Sequence, residues 1–219
     1  VHVSSLAARE PSISAYAASK RRAEELLAPL ADRLSLIMLR PPAIYGPGDR
    51  ATLPLLRELT RPIALIPGRR RARFSLLHVG DFARLLADQA TGGPQGIHEA
   101  DDGREGGYGW DDVIAMAAAA EGRPRHALFL PRPVVAAAGW TALTWSRLSG
   151  RPNMVNPGKV RELYHPDWLC RTPRLVPERA IEFDRGFADT LAWYRQEGWL
   201  PPRRRTDRSR TYATPRAET

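Results

Sequence analysis

Tyr16-Ala17-Ala18-Ser19-Lys20 is the stretch on which the fold turns. Residues four apart in a helix stand one above the other on the same face, so the spacing puts the Lys20 ammonium beside the Tyr16 phenol. A neighbouring cation favours the phenolate, which makes the hydroxyl a usable acid or base. Ala15 to Leu30, rich in Ala, Glu, Leu and Arg, reads as the helix that carries the pair. Upstream, Val1-His2-Val3-Ser4-Ser5 reads as a short β-branched strand ending on Ser5, eleven residues before Tyr16.

Downstream, Leu34 to Leu39 is a second apolar run of strand length. It leads into Arg40-Pro41-Pro42-Ala43-Ile44-Tyr45-Gly46-Pro47-Gly48-Asp49, where prolines exclude a helix and glycines permit a tight backbone. On these residues the chain resembles the extended branch of the short-chain dehydrogenase/reductase superfamily, the NAD(P)-dependent epimerases, dehydratases and hydroxysteroid-dehydrogenase-like enzymes. Ser5, Tyr16 and Lys20 match that family's catalytic triad residue by residue.

The resemblance implies an α/β chain. Residues 1–100 are expected to be the C-terminal part of a doubly wound, parallel-sheet (Rossmann-like) dinucleotide-binding domain, and residues 101–200 a smaller, mostly helical substrate lobe. It implies NAD or NADP as cofactor, held by Tyr16 and Lys20 and lined by Pro41, Pro42, Ala43 and Ile44. Ser5 is expected to hydrogen-bond the reacting oxygen, Tyr16 to exchange its proton, and Lys20 to hold the nicotinamide ribose. The implied protein is a cytoplasmic oxidoreductase, epimerase or dehydratase, able to form a homodimer and acting on a small molecule: a nucleotide sugar or a less polar alcohol or ketone. The alternative of another class is a dinucleotide-binding sensor or assembly subunit of the same fold without turnover.

The departure from the family pattern is as informative. Family members open with a strand, a glycine-rich turn and a helix whose N-terminus holds the pyrophosphate. The glycine pairs here, Gly92-Gly93 and Gly106-Gly107, follow no strand that opens into such a helix. The chain is therefore expected to be a C-terminal portion, about a hundred residues short of the doubly wound template and unable to bind NAD(P) usefully alone. The residue that separates NAD from NADP belongs near the end of the template's second strand, outside this chain.

Composition excludes other classes. With 43% hydrophobic residues in 219, the chain is long and apolar enough for a core and is not a disordered polymer. Cys170 is alone, so no intrachain disulfide forms. The five histidines show no His-x-x-x-His or Cys/His spacing, and no metal site is expected. The longest apolar stretch, Pro133 to Trp145, is shorter than the roughly twenty residues of a membrane span and reads as a buried helix of the smaller lobe.

The formal charge of +9 comes almost wholly from arginine, with lysine only at 20 and 159. Two runs carry much of it, Arg69-Arg70-Arg71 with Arg73, and Arg203-Arg204-Arg205 with Arg208 and Arg210. Neither interleaves aromatics or matches a nucleic-acid motif, so nucleic acid is not an expected partner. Residues 201–219 read as a disordered basic tail. In sugar-nucleotide members of the family an arginine ahead of a His-Val-x-Asp motif meets the substrate diphosphate. His78-Val79-Gly80-Asp81 matches that motif, but Phe74 stands where the arginine belongs, and a one-residue slip turns Arg73 to the other face. Ala43 stands near where such enzymes often place an asparagine, which tilts the pocket towards a less polar substrate.

Further elements are expected at Gly96 to Ala100, a short edge strand, and at a helix opened by Asp81 as its cap. Val113 to Glu121 is read as a helix stopped by Gly122, Ala127 to Leu130 as a strand, and Arg185 to Glu197 as an amphipathic helix. His78 is read as structural, and Trp168 as either core or cleft lining.

Overall fold

Ser14 starts the helix that the Tyr16/Lys20 spacing requires. Its backbone is extended, and its hydroxyl accepts the Ala17 N–H at 3.0 Å, satisfying one of the first turn's orphan donors. Helix α1 (Ala15–Leu27) then runs through good helix formers. Pro29 cannot continue the α-helical ladder, and the end tightens into a 3-10 turn, Ala28–Leu30. Before α1 stand β1 (His2–Val3) and a 3-10 turn, Leu6–Arg9. After it comes β2 (Ile37–Arg40), parallel to β1 with Val3 opposite Leu39. All four β2 residues are buried, as befits the interior of a parallel sheet covered on both faces.

The computed structural model describes residues 1–149, 156–171 and 173–202; of the basic tail expected over 201–219, residues 203–219 lie outside the described residues. The remaining described elements are β3 (Ala43–Tyr45), α2 (Leu53–Leu59), β4 (Ile63–Pro67), β5 (Arg73–Phe74), β6 (Leu76–His78) and α3 (Val79–Thr91). They continue with β7 (Gly96–Ala100), β8 (Tyr108–Gly109), α4 (Trp110–Glu121), β9 (His126–Leu130) and α5 (Arg132–Ser149). The chain then adds α6 (Pro157–Leu163), β10 (Asp167–Trp168), β11 (Arg174–Leu175) and α7 (Phe183–Gln196).

The main sheet has the order β1-β2-β7-β11 and is parallel throughout. Three smaller sheets join β3 to β6, β4 to β9, and β5 to both β8 and β10. The last two combine strands from before and after residue 100, and β11 returns to the main sheet. Leu39, Leu77, Phe82, Leu85 and Ala100 form the core against α3. A larger cluster gathers Trp110, Phe183, Phe187, Leu191 and Tyr194 from α4 and α7.

Three sequence expectations are corrected. Gly96–Ala100 is an interior strand, because β11 pairs with its outer side; the polar His98 and Glu99 that made it look like an edge are buried with partners. Asp81 does not cap α3. His78 does, its Nδ1 accepting the Gly80 N–H at 3.1 Å, while the fully buried Asp81 accepts the Ile181 N–H at 2.8 Å and pairs with Arg84. Helix α5 is only partly buried: Val135 packs inward, but Val134 and Trp140 are 57% and 59% exposed.

A buried ion pair fixes α1 against the sheet. Glu24, one turn beyond Lys20, is 2% exposed. It receives the Arg40 guanidinium at both oxygens, Nε at 2.8 Å and Nη2 at 2.5 Å, and the Ser4 hydroxyl at 2.5 Å. Burial pushes the Glu24 carboxyl upward, but the hydrogen bonds from Arg40 and Ser4 and the positive charges of Arg40 and Arg21 outweigh it and hold it below its ordinary value. A carboxyl depressed by folding stabilises the fold above the ordinary carboxylate range and loses that contribution as pH falls through its folded value. Glu24→Gln, which leaves Arg40 buried without its counter-charge, is expected to cost about 3 kcal/mol in urea melts at neutral pH. The same variant is expected to show a shallower fall of melting temperature between about pH 6 and pH 3 than the parent; an equally steep fall would contradict the assignment.

Candidate active site

Ser5 and the Pro41–Ile44 loop follow the C-terminal ends of β1 and β2, the end of a parallel sheet where ligands bind in doubly wound folds. Two backbone hydrogen bonds continue the β1/β2 pairing past the strands: Ser4 N–H to Leu39 O at 2.7 Å and Leu6 N–H to Pro41 O at 2.8 Å. Ser5 lies between them, so the serine and the Pro41–Ile44 loop are fixed to one another by the backbone. The Ser5 Oγ accepts the Ala7 N–H at 3.2 Å and caps the 3-10 turn. That contact uses an acceptor lone pair and leaves the hydroxyl hydrogen to be donated elsewhere.

Tyr16 and Lys20 sit on α1 as the spacing requires. The Lys20 Nζ is 5.9 Å from the centre of the Tyr16 ring and donates to Val3 O, at the end of β1, at 3.3 Å. One of its three hydrogens is thus engaged and two remain. Tyr16 is 51% exposed. Among the described residues no hydrogen bond joins Ser5 to Tyr16. In the loop, Pro41 is buried, Pro42 and Ile44 are half-buried and Ala43 is exposed. The donor set fits a dinucleotide's sugar: an ammonium and a phenol hydroxyl for ribose hydroxyls, beside a small apolar surface for a flat ring.

Around this site stand residues that sequence reasoning missed. Arg9 reaches the buried Glu99 at 3.3 Å and donates to Leu169 O at 2.8 Å. Glu99 also accepts the Arg171 N–H. Asp101 receives Ser75 Oγ at 2.9 Å and Arg174 at 3.2 Å. The partners are 72 to 160 residues apart in all but the Ser75 contact, so no local pattern could pair them. Cys170, beside this cluster, has its thiol pushed up to about 12 by burial and by Asp101 and Glu99, so it is held as a neutral thiol.

A cavity of about 470 Å³ lies between β8 and the start of α7, lined in part by Asp102, Arg104, Tyr108 and Phe183. None of Ser5, Tyr16, Lys20 or residues 41–44 lines it. The Tyr108 hydroxyl donates to Asp102 at 2.5 Å, and burial, followed by that hydrogen bond, raises the phenol's pKa. Arg73 is engaged elsewhere: its guanidinium donates to Gly106 O at 2.9 and 2.5 Å and to Gly107 O at 3.0 Å. Trp168 is half-buried, its indole N–H given to Glu162 O at 2.9 Å. Among the described residues no helix is long and apolar enough to cross a membrane.

Comparison with known proteins agrees with this fold. The NAD dependent epimerase/dehydratase family matches residues 3–94. A ceramide reductase from Caulobacter vibrioides (strain NA1000 / CB15N) is 41% identical over 202 residues, 91% of this chain and 63% of its own length. The chain thus spans less than two thirds of that relative. A UDP-glucuronic acid 4-epimerase mutant from Bacillus cereus, solved with UDP-4-deoxy-4-fluoro-glucuronic acid and NAD, superimposes with a TM-score of 0.64 at 14% identity, covering 90% of this chain and 61% of that one. A UDP-N-acetylglucosamine 4-epimerase from Methanobrevibacter ruminantium M1, in complex with UDP-N-acetylmuramic acid, gives 0.60 at 14% identity over 90% and 62%. Both share the parallel α/β fold. Residues 3–94 thus match the NAD dependent epimerase/dehydratase family, and the chain shares the Rossmann-like α/β fold of these solved structures.

Proposed function

We propose that the protein carrying this chain is an NAD(P)-dependent reductase that converts a ketone on a weakly polar, ceramide-like lipid to an alcohol, with Ser5, Tyr16 and Lys20 as its catalytic residues. The observation that carries the reading is the 41% identity to a ceramide reductase over 91% of the chain. Two local features favour a less polar substrate over a nucleotide sugar. Arg73 is tied to the Gly106 and Gly107 carbonyls, and the loop beside Ser5 offers Pro42, Ala43 and Ile44 where a sugar would need hydrogen-bonding side chains.

The nicotinamide, when bound, supplies the hydride. Lys20 would hold the ribose hydroxyls with the two hydrogens not given to Val3 O, and Pro41, Pro42, Ala43 and Ile44 would line the nicotinamide side. Ser5 donates its free hydroxyl hydrogen to the ketone oxygen and orients the carbonyl. As the carbonyl carbon becomes tetrahedral, its oxygen takes the Tyr16 proton and becomes the alcohol hydroxyl; the Lys20 ammonium eases the negative charge on the phenol oxygen until solvent returns the proton. Residues 1–100 serve the cofactor and residues 101–200 the lipid, with β4 and β5 lent to the second group.

In the full-length enzyme Tyr16→Phe is expected to lower kcat by about 10²- to 10⁴-fold with the cofactor dissociation constant little changed, whereas Lys20→Ala weakens both. Parent-like turnover in Tyr16→Phe would end the proposal. Reduced-cofactor oxidation is expected with a short-chain ceramide ketone and not with UDP-glucose or UDP-glucuronic acid. Isomerisation of the UDP-sugars without ketone reduction would instead assign an epimerase.

A further inference from the structure

The end of α1 that carries Tyr16 is held by a residue 148 positions away. Ser14, 6% exposed, has its acceptor lone pair occupied by the Ala17 N–H, and its hydroxyl hydrogen goes to the carboxylate of Glu162 in α6. Glu162 is itself buried, and its second oxygen takes the Lys159 ammonium at 3.1 Å. Next to this bond, Arg161 Nε donates to Ile13 O at 2.6 Å. The approach leaves no room for a side chain at Gly158, where an added Cβ would stand 2.9 Å from the Ser14 Cβ. The backbone carbonyl of Glu162 meanwhile accepts the Trp168 indole N–H at 2.9 Å. A single residue therefore grips the N-cap of the Tyr16 helix with its side chain and Trp168 of β10 with its backbone.

We infer that Glu162 is a positioning residue: through the Ser14 hydroxyl it sets where Tyr16 stands, and it couples that placement to the α6–β10 segment of the substrate side. The inference rests on the proposed role of Tyr16. A hydroxyl that must both cap and donate has one geometry, so the first turn of α1 is fixed only while the carboxylate is there to receive it. Without it the cap is free to rotate, Tyr16 loses its register with the substrate oxygen, and a misplacement of an ångström is enough to slow proton transfer strongly.

The test uses the full-length enzyme with the ceramide ketone, comparing Glu162→Ala, Glu162→Gln, Ser14→Ala and the Glu162→Ala/Ser14→Ala pair. Glu162→Ala is expected to lower kcat per folded molecule about tenfold with the KM for reduced cofactor within about twofold, and Ser14→Ala to act similarly. The double variant is expected to be no worse than either single one, because both act through one bond. Glu162→Gln, which keeps an oxygen for Ser14 but loses the Lys159 ion pair, is expected to recover most of kcat. Hydrogen exchange without cofactor is expected to quicken at residues 15–18 in Glu162→Ala and not in Glu162→Gln. Equal deficits in Gln and Ala, or effects that add in the double variant, would reduce Glu162 to a stabilising ion pair and overturn the inference, as would unchanged kcat in Glu162→Ala. Should Glu162→Ala fail to fold, Ser14→Ala carries the same comparison against Glu162→Gln. Tyr16→Phe measured alongside separates the two levels: if it retains turnover the functional reading fails, and if it is inactive while Glu162→Ala is unaffected this inference alone fails.

Discussion

The Arg40–Glu24 pair with Ser4 is the interaction on which the site's construction depends. Taking two charges out of water is costly, and attraction offsets that cost only when geometry is good and the remaining lone pairs are used. Here both carboxylate oxygens meet the guanidinium and one also meets a hydroxyl. Each partner sits at an element's working end: Ser4 one residue before Ser5, Arg40 one residue before Pro41, and Glu24 one turn beyond Lys20. Ser5, the Pro41–Ile44 loop and the Lys20 end of α1 are thereby fixed to a common point. The parallel sheet alone would align β1 and β2 but leave α1 free to slide across them.

The same device recurs and explains why arginine so dominates the cations. Arg9 meets Glu99, Arg174 meets Asp101, and Glu121 receives both Arg125 and Arg195. Every one of these carboxylates is buried or nearly so. A planar guanidinium reaches two acceptors at once and sheds its water more readily than an ammonium, so it suits joints between distant segments. A formal charge of +9 is then poor evidence of a polyanion partner, since several of its cations point inward.

What could be read beforehand was what is local. The i, i+4 relation of Tyr16 and Lys20 and the Gly122 stop of α4 with its left-handed backbone are each decided within a few residues; the strand expected to end on Ser5 stops at Val3, and Ser5 caps the 3-10 turn. Misreadings arose where a polar residue had a distant partner. His98 and Glu99 made an interior strand look like an edge, since nothing near them announces Arg9 or β11. Asp81 resembled a cap, yet its carboxylate is directed to Ile181 N–H, 100 residues on. Trp140 followed an apolar pattern that promised burial, but packing, not pattern, chooses which side of α5 is covered.

Helix α1 is held at its two ends by contacts of different origin. The Lys20 end is bound to β1 and β2 through Val3 O, Ser4 and Arg40, all within 40 residues of the chain's first position. The Tyr16 end is bound through Ser14 to Glu162, in a segment that reaches Trp168 and, through the Tyr164 hydroxyl at 2.6 Å from Leu130 O, the β4/β9 pair. The positions of Lys20 and Tyr16 are thus held by different parts of the chain, although the two residues are a single turn apart. A change in the later chain can therefore shift the first turn of α1 while the contacts of Lys20 and Glu24 with β1 and β2 stay in place, so the two halves of one helix answer to different segments.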